Sequence, residues 1–164
     1  MLLERIIEIV TAVETTDLQN LVSLKQIPQK QLVDAFQSRV HANLKKILPN
    51  MNWRSPHQLT RQSRDEVDIY GTFGSEDGEG VVIIELDKWR ADQVAKKFVS
   101  RFALTLERPL IYMALCYGGT DNMSKRECEK YFGYCKSICN AFTQCNLRSQ
   151  KQFYGHILLV GSPK

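Results

Sequence analysis

The feature that most constrains this chain is a strongly apolar run that nevertheless contains acids, Val81-Val82-Ile83-Ile84-Glu85-Leu86-Asp87-Lys88, preceded by a second strand-like run, Val67-Asp68-Ile69-Tyr70. Side chains alternate between the two faces of a strand, so Glu85 and Asp87 are expected to share one face. A strand this apolar is usually buried, and a buried carboxylate is costly unless it is paired, protonated or bound to metal. Together with Asp68, these two acids predict a site for a hard divalent cation.

Length and composition predict one compact domain over residues 1–164, with a helical N-terminal part at about 1–49 and a sheet-containing core at about 50–164. Hydrophobic residues make up 43% and charged residues 24% of the chain, enough to build a core and to argue against disorder. The net charge of +4 is compatible with a nucleic-acid partner but does not require one.

The chain contains five cysteines, an odd number, and its first apolar run is interrupted by Glu4, Arg5 and Glu8. A disulfide framework is therefore not expected, and the start of the chain makes a poor signal peptide. No run approaches the roughly 18 apolar residues of a membrane helix. A cytoplasmic protein without a membrane partner is the expectation.

Periodicity predicts an alternation of helices and strands along the chain. Helices are expected at 2–14, 28–48, 90–106 and from about 121 to 145, and strands at 66–74, 81–87, 110–116 and 153–160. Residues 50–64 are harder, since 52–56 resemble a loop and 58–61 fit a first strand or its approach. The acidic, glycine-bearing segment 75–80 predicts a hairpin. The helical crossover between 87 and 110 predicts a parallel strand pair, so the expected fold is α/β with a mixed central sheet flanked by helices.

The pattern of Asp68, a hairpin turn and Glu85-Leu86-Asp87-Lys88 resembles the PD-(D/E)xK nucleases, which have the restriction-endonuclease-like fold. The order of elements from 28 to 116 is similar to the core of that superfamily. The resemblance implies that Asp68 and Glu85 bind Mg²⁺ or Mn²⁺. The motif lysine would stand two places after Glu85, where this chain has Asp87.

That departure leaves two interpretations open. By analogy with superfamily members that carry a carboxylate at the lysine position, Asp87 would be a third metal ligand or would position the attacking water. Alternatively, the site has lost its activity. Lys88 would point to the other face of a regular strand unless a bulge redirects it. Gln93, on the following helix, corresponds to a glutamine that several families place near the metal.

The resemblance therefore implies a metal-dependent DNA endonuclease, a hydrolase that cleaves phosphodiester bonds. Two alternatives remain, a catalytically inactive nuclease-fold module that binds nucleic acid or protein, and a small α/β protein without a nucleic-acid role. Cleavage of both strands of a duplex would favour a homodimer. Basic residues on and near the polar face of the 90–106 helix are the predicted DNA-phosphate contacts, namely Arg90, Lys96, Lys97 and Arg101.

Two further groups of side chains are read as packing. The cysteines at 128, 135, 139 and 145 recur on one stripe of the predicted last helix and lack the paired spacing of a zinc site, which predicts that they belong to the core. Trp89 is an isolated aromatic residue beside the acidic strand. Stacking on a base is one interpretation, and packing is the preferred one.

Overall fold

The computed structural model describes residues 1–18, 29–62, 65–74, 79–117, 121–145 and 149–158. Four helices occur in these residues: α1 (Leu2–Val13), α2 (Gln29–Ile47), α3 (Asp92–Leu104) and α4 (Lys125–Cys145). A π-helical turn (Glu14–Leu18) follows α1, and a 3₁₀ turn (Asp121–Met123) precedes α4. The strands are β1 (Asn52–Arg54), β2 (His57–Gln58), β3 (Glu66–Val67), β4 (Ile69–Phe73), β5 (Gly80–Asp87), β6 (Leu110–Tyr117) and β7 (Lys151–Leu158).

Five strands form a mixed sheet in the order β1-β4-β5-β6-β7, and β2 pairs with β3 in a separate two-stranded ladder. The β1–β4 and β4–β5 pairs are antiparallel, whereas β5–β6 and β6–β7 are parallel. The predicted mixed central sheet flanked by helices is confirmed, as is the parallel pair joined by a helix. The predicted hairpin turn lies mostly in 75–78, outside the described residues.

The sheet separates two hydrophobic cores, and β5 contributes to both. Its even-numbered residues from Val82 to Leu86 pack with α1 and α2, whereas Val81 and Ile83 pack with α3 and α4. Every residue of β5 is buried. Because of this alternation, Glu85 and Asp87 belong to the face that α3 and α4 cover.

The start of the sheet differs from the prediction. The first strand lies at 52–54, in residues read as loop, and not at 58–61. Trp53 is the buried residue of β1, and its indole N–H donates to the carbonyl of Leu48 at 3.2 Å. The predicted strand at 66–74 is interrupted at Asp68, which separates β3 from β4.

The inward face of α3 also differs from the prediction. Val94, Phe98 and Phe102 are buried, but Val99, which belongs to the same apolar pattern, is exposed. Arg101, expected on the solvent face, is only 7% exposed. The buried stripe is therefore narrower than the apolar pattern of the helix, and it includes a cation.

Two predictions about single side chains are wrong. Trp89 does not pack, since it is 75% exposed, and Cys145 is exposed at the end of α4. The other cysteines of α4, Cys128, Cys135 and Cys139, are buried and free, which confirms their place in the core.

Lys151, the first residue of β7, is buried against the carboxyl end of α3. Its ammonium group donates to the carbonyls of Thr105 at 2.7 Å and Leu106 at 2.9 Å, and also to that of Arg108. These carbonyls lie at and just beyond the end of a helix, where intrahelical partners run out. The last described strand thus supplies hydrogen-bond donors for the carbonyls at the end of α3.

Among the helices of the described ranges, none combines the length and the apolar character needed to cross a membrane.

We expect Gly155→Ala to destabilise the fold by about 1–3 kcal/mol, because a Cβ at this position of β7 would overlap the ring of Phe132 on α4. Gly133→Ala is the matched control. No atom lies within 4 Å of a Cβ there, and the exchange in a helix should stabilise by about 0.5–1 kcal/mol. Urea unfolding of both variants measures the difference, and equal stabilities would contradict the described packing of β7 on α4.

Candidate functional site

Two carboxylates are buried at the carboxyl end of the central strand. Glu85 is 1% exposed and Asp87 is 2% exposed. In the parallel ladder they lie opposite Ala114 and Cys116 of β6. Ionised carboxylates at this depth must be paired with cations or be protonated.

Helix α3 supplies two cations, one turn apart, to these acids. Arg101 Nε lies 2.8 Å from Glu85 Oε1. Lys97 Nζ lies 2.9 Å from Asp87 Oδ1 and 3.6 Å from Glu85 Oε2. We call these four side chains together with Asp68 the acid–cation cluster.

Arg101 also fixes the segment that leads into β4. Its guanidinium contacts Asp65 Oδ1 at 3.2 Å and donates to the carbonyl of Glu66 at 2.9 Å. With Glu85, it therefore joins α3, β3 and β5. These contacts engage the Arg101 guanidinium inside the protein, so it does not offer the exposed phosphate contact that the helical pattern predicted.

Asp68 lies between β3 and β4, and its carboxylate, in place of a backbone carbonyl, accepts a hydrogen bond from β5. Its Oδ2 accepts a hydrogen bond from the N–H of Leu86 at 2.7 Å. Its carbonyl accepts from Ser55 Oγ at 2.7 Å and from Gln37 Nε2 at 2.9 Å. The strand break thus holds the Asp68 carboxylate beside the residue that separates Glu85 from Asp87.

The pKa values follow from burial and from this proximity. Burial raises the pKa of Glu85 from 4.5 to about 7; Lys97 opposes the rise and the charge of Asp68 adds to it. Burial likewise raises the pKa of Asp87, with Lys97 opposing. Burial acts to lower the pKa of Lys97, but the carboxylates of Asp87 and Glu85 outweigh it and the pKa is raised. Glu85 thus carries a proton for part of the time near neutral pH.

The acid–cation cluster has three potential negative charges and two positive ones. Among the described residues, both oxygens of Asp87 are buried without a hydrogen bond of good geometry, although Lys97 lies close to Oδ1. Within the same part of the chain, no group of three or more His, Cys, Asp or Glu side chains is arranged to hold a metal ion. Magnesium needs only one or two protein carboxylates when substrate phosphate completes its coordination.

The other predicted site residues lie around this end of β5. Lys88 and Gln93 are half-buried, and Arg90 and Lys96 are exposed. Arg90 makes two hydrogen bonds to Asp92, at 2.9 and 2.8 Å. Of the four predicted phosphate contacts, Arg90 and Lys96 are therefore the ones that face solvent.

Sequence reasoning missed that Lys97 and Arg101 neutralise the acids. The signal was present in their spacing of four residues, which places them on one side of α3. Lys97 directly precedes Phe98 and Arg101 directly precedes Phe102, so both cations border the buried stripe of the helix. Gln37 and Ser55, which hold the backbone at Asp68, carried no recognisable pattern.

No protein-family model matches this chain, and a search of curated proteins found no match either.

We expect the stability of the wild-type protein to fall as pH rises from about 4.5 to 7, when compared with Glu85→Gln in metal-free buffer. The folded state binds the Glu85 proton more tightly than the unfolded state does, so raising the pH favours unfolding over this range. At about 1.4 kcal/mol for each pH unit, the relative loss is roughly 3 kcal/mol.

Urea unfolding across this pH range measures the effect, and Glu129→Gln on the exposed side of α4 serves as the control that should follow the wild type. Parallel stability curves for wild type and Glu85→Gln would contradict the raised pKa.

Proposed function

We propose that this chain is a metal-dependent nuclease that hydrolyses phosphodiester bonds in DNA. The observation that carries the proposal is the acid–cation cluster. It combines the acids Asp68, Glu85 and Asp87 with the ammonium group of Lys97 at one end of the central strand.

The order of elements supports this proposal. A helix is followed by two antiparallel strand pairings, a crossover helix and a parallel strand, as in the superfamily that the acidic motif resembles. Lys97 offers a solution to the missing motif lysine. Asp87 occupies the place of that lysine, and the ammonium group of Lys97 reaches the same position from α3. The positive charge that the motif lysine would supply from β5 is thus supplied by Lys97 from α3.

The donor chemistry fits Mg²⁺ or Mn²⁺. Carboxylate oxygens are the ligands that these hard cations prefer, and the buried oxygens of Asp87 lack hydrogen bonds of good geometry among the described residues. Asp68 and Glu85 are the residues that would hold the ion, with Asp87 as the additional acid. When bound, such an ion polarises the phosphoryl oxygen and makes water a better nucleophile.

The side chains of the cluster have separate roles in this proposal. The side chain of Lys97 is 29% exposed, and in this proposal its ammonium group opposes the build-up of negative charge on an incoming phosphate. Arg101 positions Glu85 through its 2.8 Å contact.

The second candidate function is an inactive nuclease-fold module that binds nucleic acid or protein. Its support is the pairing itself. Lys97 and Arg101 already neutralise the buried acids, so the cluster needs no metal ion to be stable. Metal binding and cleavage therefore separate the two candidates.

We expect Asp68→Asn to lower the rate of plasmid cleavage in Mg²⁺ or Mn²⁺ by about 100-fold, since losing even a residue that only orients a metal ligand costs up to this factor. Calorimetric titration with Mn²⁺ should show saturable binding in the wild type and weaker binding in the variant. Glu129→Gln, which changes an exposed acid on α4, should cleave and bind as the wild type does. Cleavage at an equal rate in Asp68→Asn would exclude this site as its source.

We expect Lys97→Met to lower the turnover number by about 10²–10³-fold while Mn²⁺ binding is retained, because the ammonium group is assigned to the phosphate and not to the metal. Lys97→Arg should recover part of the rate. Steady-state kinetics on a nicked or branched DNA measures both, and unchanged turnover in Lys97→Met would remove Lys97 from the proposed mechanism.

A further inference from the structure

A cavity of about 320 Å³ lies between the segments that follow β5 and β6 in the chain. Its walls come from the start of α3 and from the turn and helix that follow β6, and they comprise Arg90, Ala91, Asp92, Asn122, Glu127 and Tyr131. The two walls are joined by a 3.0 Å hydrogen bond from the N–H of Ala91 to the carbonyl of Asn122. Its volume lies at the lower end of the range that ligand pockets occupy.

Trp89 stands exposed at the carboxyl end of β5. Its 75% exposure is unusual for the largest side chain, and the adjoining residue Arg90 is part of the cavity wall. Two peptide units separate Trp89 from Asp87, so their Cα atoms are at most about 8 Å apart. The indole ring is therefore presented to solvent just after the strand that carries the buried acids.

We propose that Trp89 and this cavity hold an unpaired nucleotide of a DNA strand next to the acid–cation cluster. The inference rests on the proposed function, because it makes that strand the substrate. Bases in a duplex are stacked on each other, so only an unpaired base offers its face to an aromatic side chain. The chemistry therefore favours single-stranded or branched DNA over an intact duplex.

The cavity provides the groups that such a nucleotide needs. Tyr131 adds a second aromatic ring, and the amide of Asn122 can donate to and accept from a base edge. Arg90 is held to Asp92 by two hydrogen bonds, which keeps a cation at the wall of the cavity. Lys88, next to Trp89 in the chain, and Lys96, one turn of α3 beyond Asp92, contribute positive charge for the backbone phosphates.

The test measures binding in the presence of EDTA, so that its outcome does not depend on cleavage. A short single-stranded oligothymidine is titrated against the protein at fixed salt, with fluorescence anisotropy of the labelled strand and tryptophan emission as the two readouts. The chain has two tryptophans and Trp53 is buried, so quenching of exposed indole reports Trp89. We expect quenching in the wild type and about tenfold weaker binding in Trp89→Ala.

Trp89→Phe, which keeps an aromatic ring, should recover most of the affinity. Val99→Ala, which removes an exposed apolar side chain of α3, should bind like the wild type. Equal affinity in the wild type and Trp89→Ala, or equally tight binding of a duplex of the same length, would overturn the inference. Binding that depends on Trp89 without any cleavage in Mg²⁺ would instead overturn the proposed nuclease activity and leave the nucleotide subsite in place.

Discussion

The structure depends on the pairing of two cations from α3 with two carboxylates inside β5. An unpaired ion in such a place costs several kcal/mol, and removing one partner of a buried pair typically costs about 3–5 kcal/mol. Lys97 and Arg101 therefore oblige α3 to lie over the carboxyl end of β5, in the one position where each acid has a partner. Arg101 extends this constraint to Asp65 and the carbonyl of Glu66, so the strand break at Asp68 is positioned by the same interaction.

Much of the fold could be predicted from periodicity. The continuous apolar runs of β5 and β6 are typical of strands covered on both faces, and the helix between them made their parallel pairing the natural arrangement. Strand β1 could not be predicted in the same way. It has three residues, and one buried side chain, Trp53, determines where it lies. Its position depends on the pairing of Trp53 with Gly71 of β4, which lies far along the chain and which no local pattern reveals.

The acids of the candidate site could be predicted from the sequence, but their cationic partners on α3 could not. The alternation of side chains along β5 correctly placed Glu85 and Asp87 on one face, whereas a helical wheel assumes that apolar residues turn inward and charged residues turn outward. Arg101 turns inward and Val99 turns outward. The pairing of Arg101 with the buried Glu85 stabilises this orientation of α3 more than the burial of Val99 would. Trp89, which precedes α3, was expected to pack, but its place after the strand end leaves it without a core to enter.

Lys151 extends the dependence of the cluster to a remote part of the chain. Its ammonium group binds carbonyls at the end of α3 across more than forty residues of sequence, where a positive charge also complements the helix dipole. The carboxyl end of α3, the helix that carries Lys97 and Arg101, therefore gains these hydrogen bonds only when β7 has docked on β6. Because contacts between residues far apart in sequence slow folding, we expect the support that Lys151 gives to α3 to form only after the parallel strands have assembled.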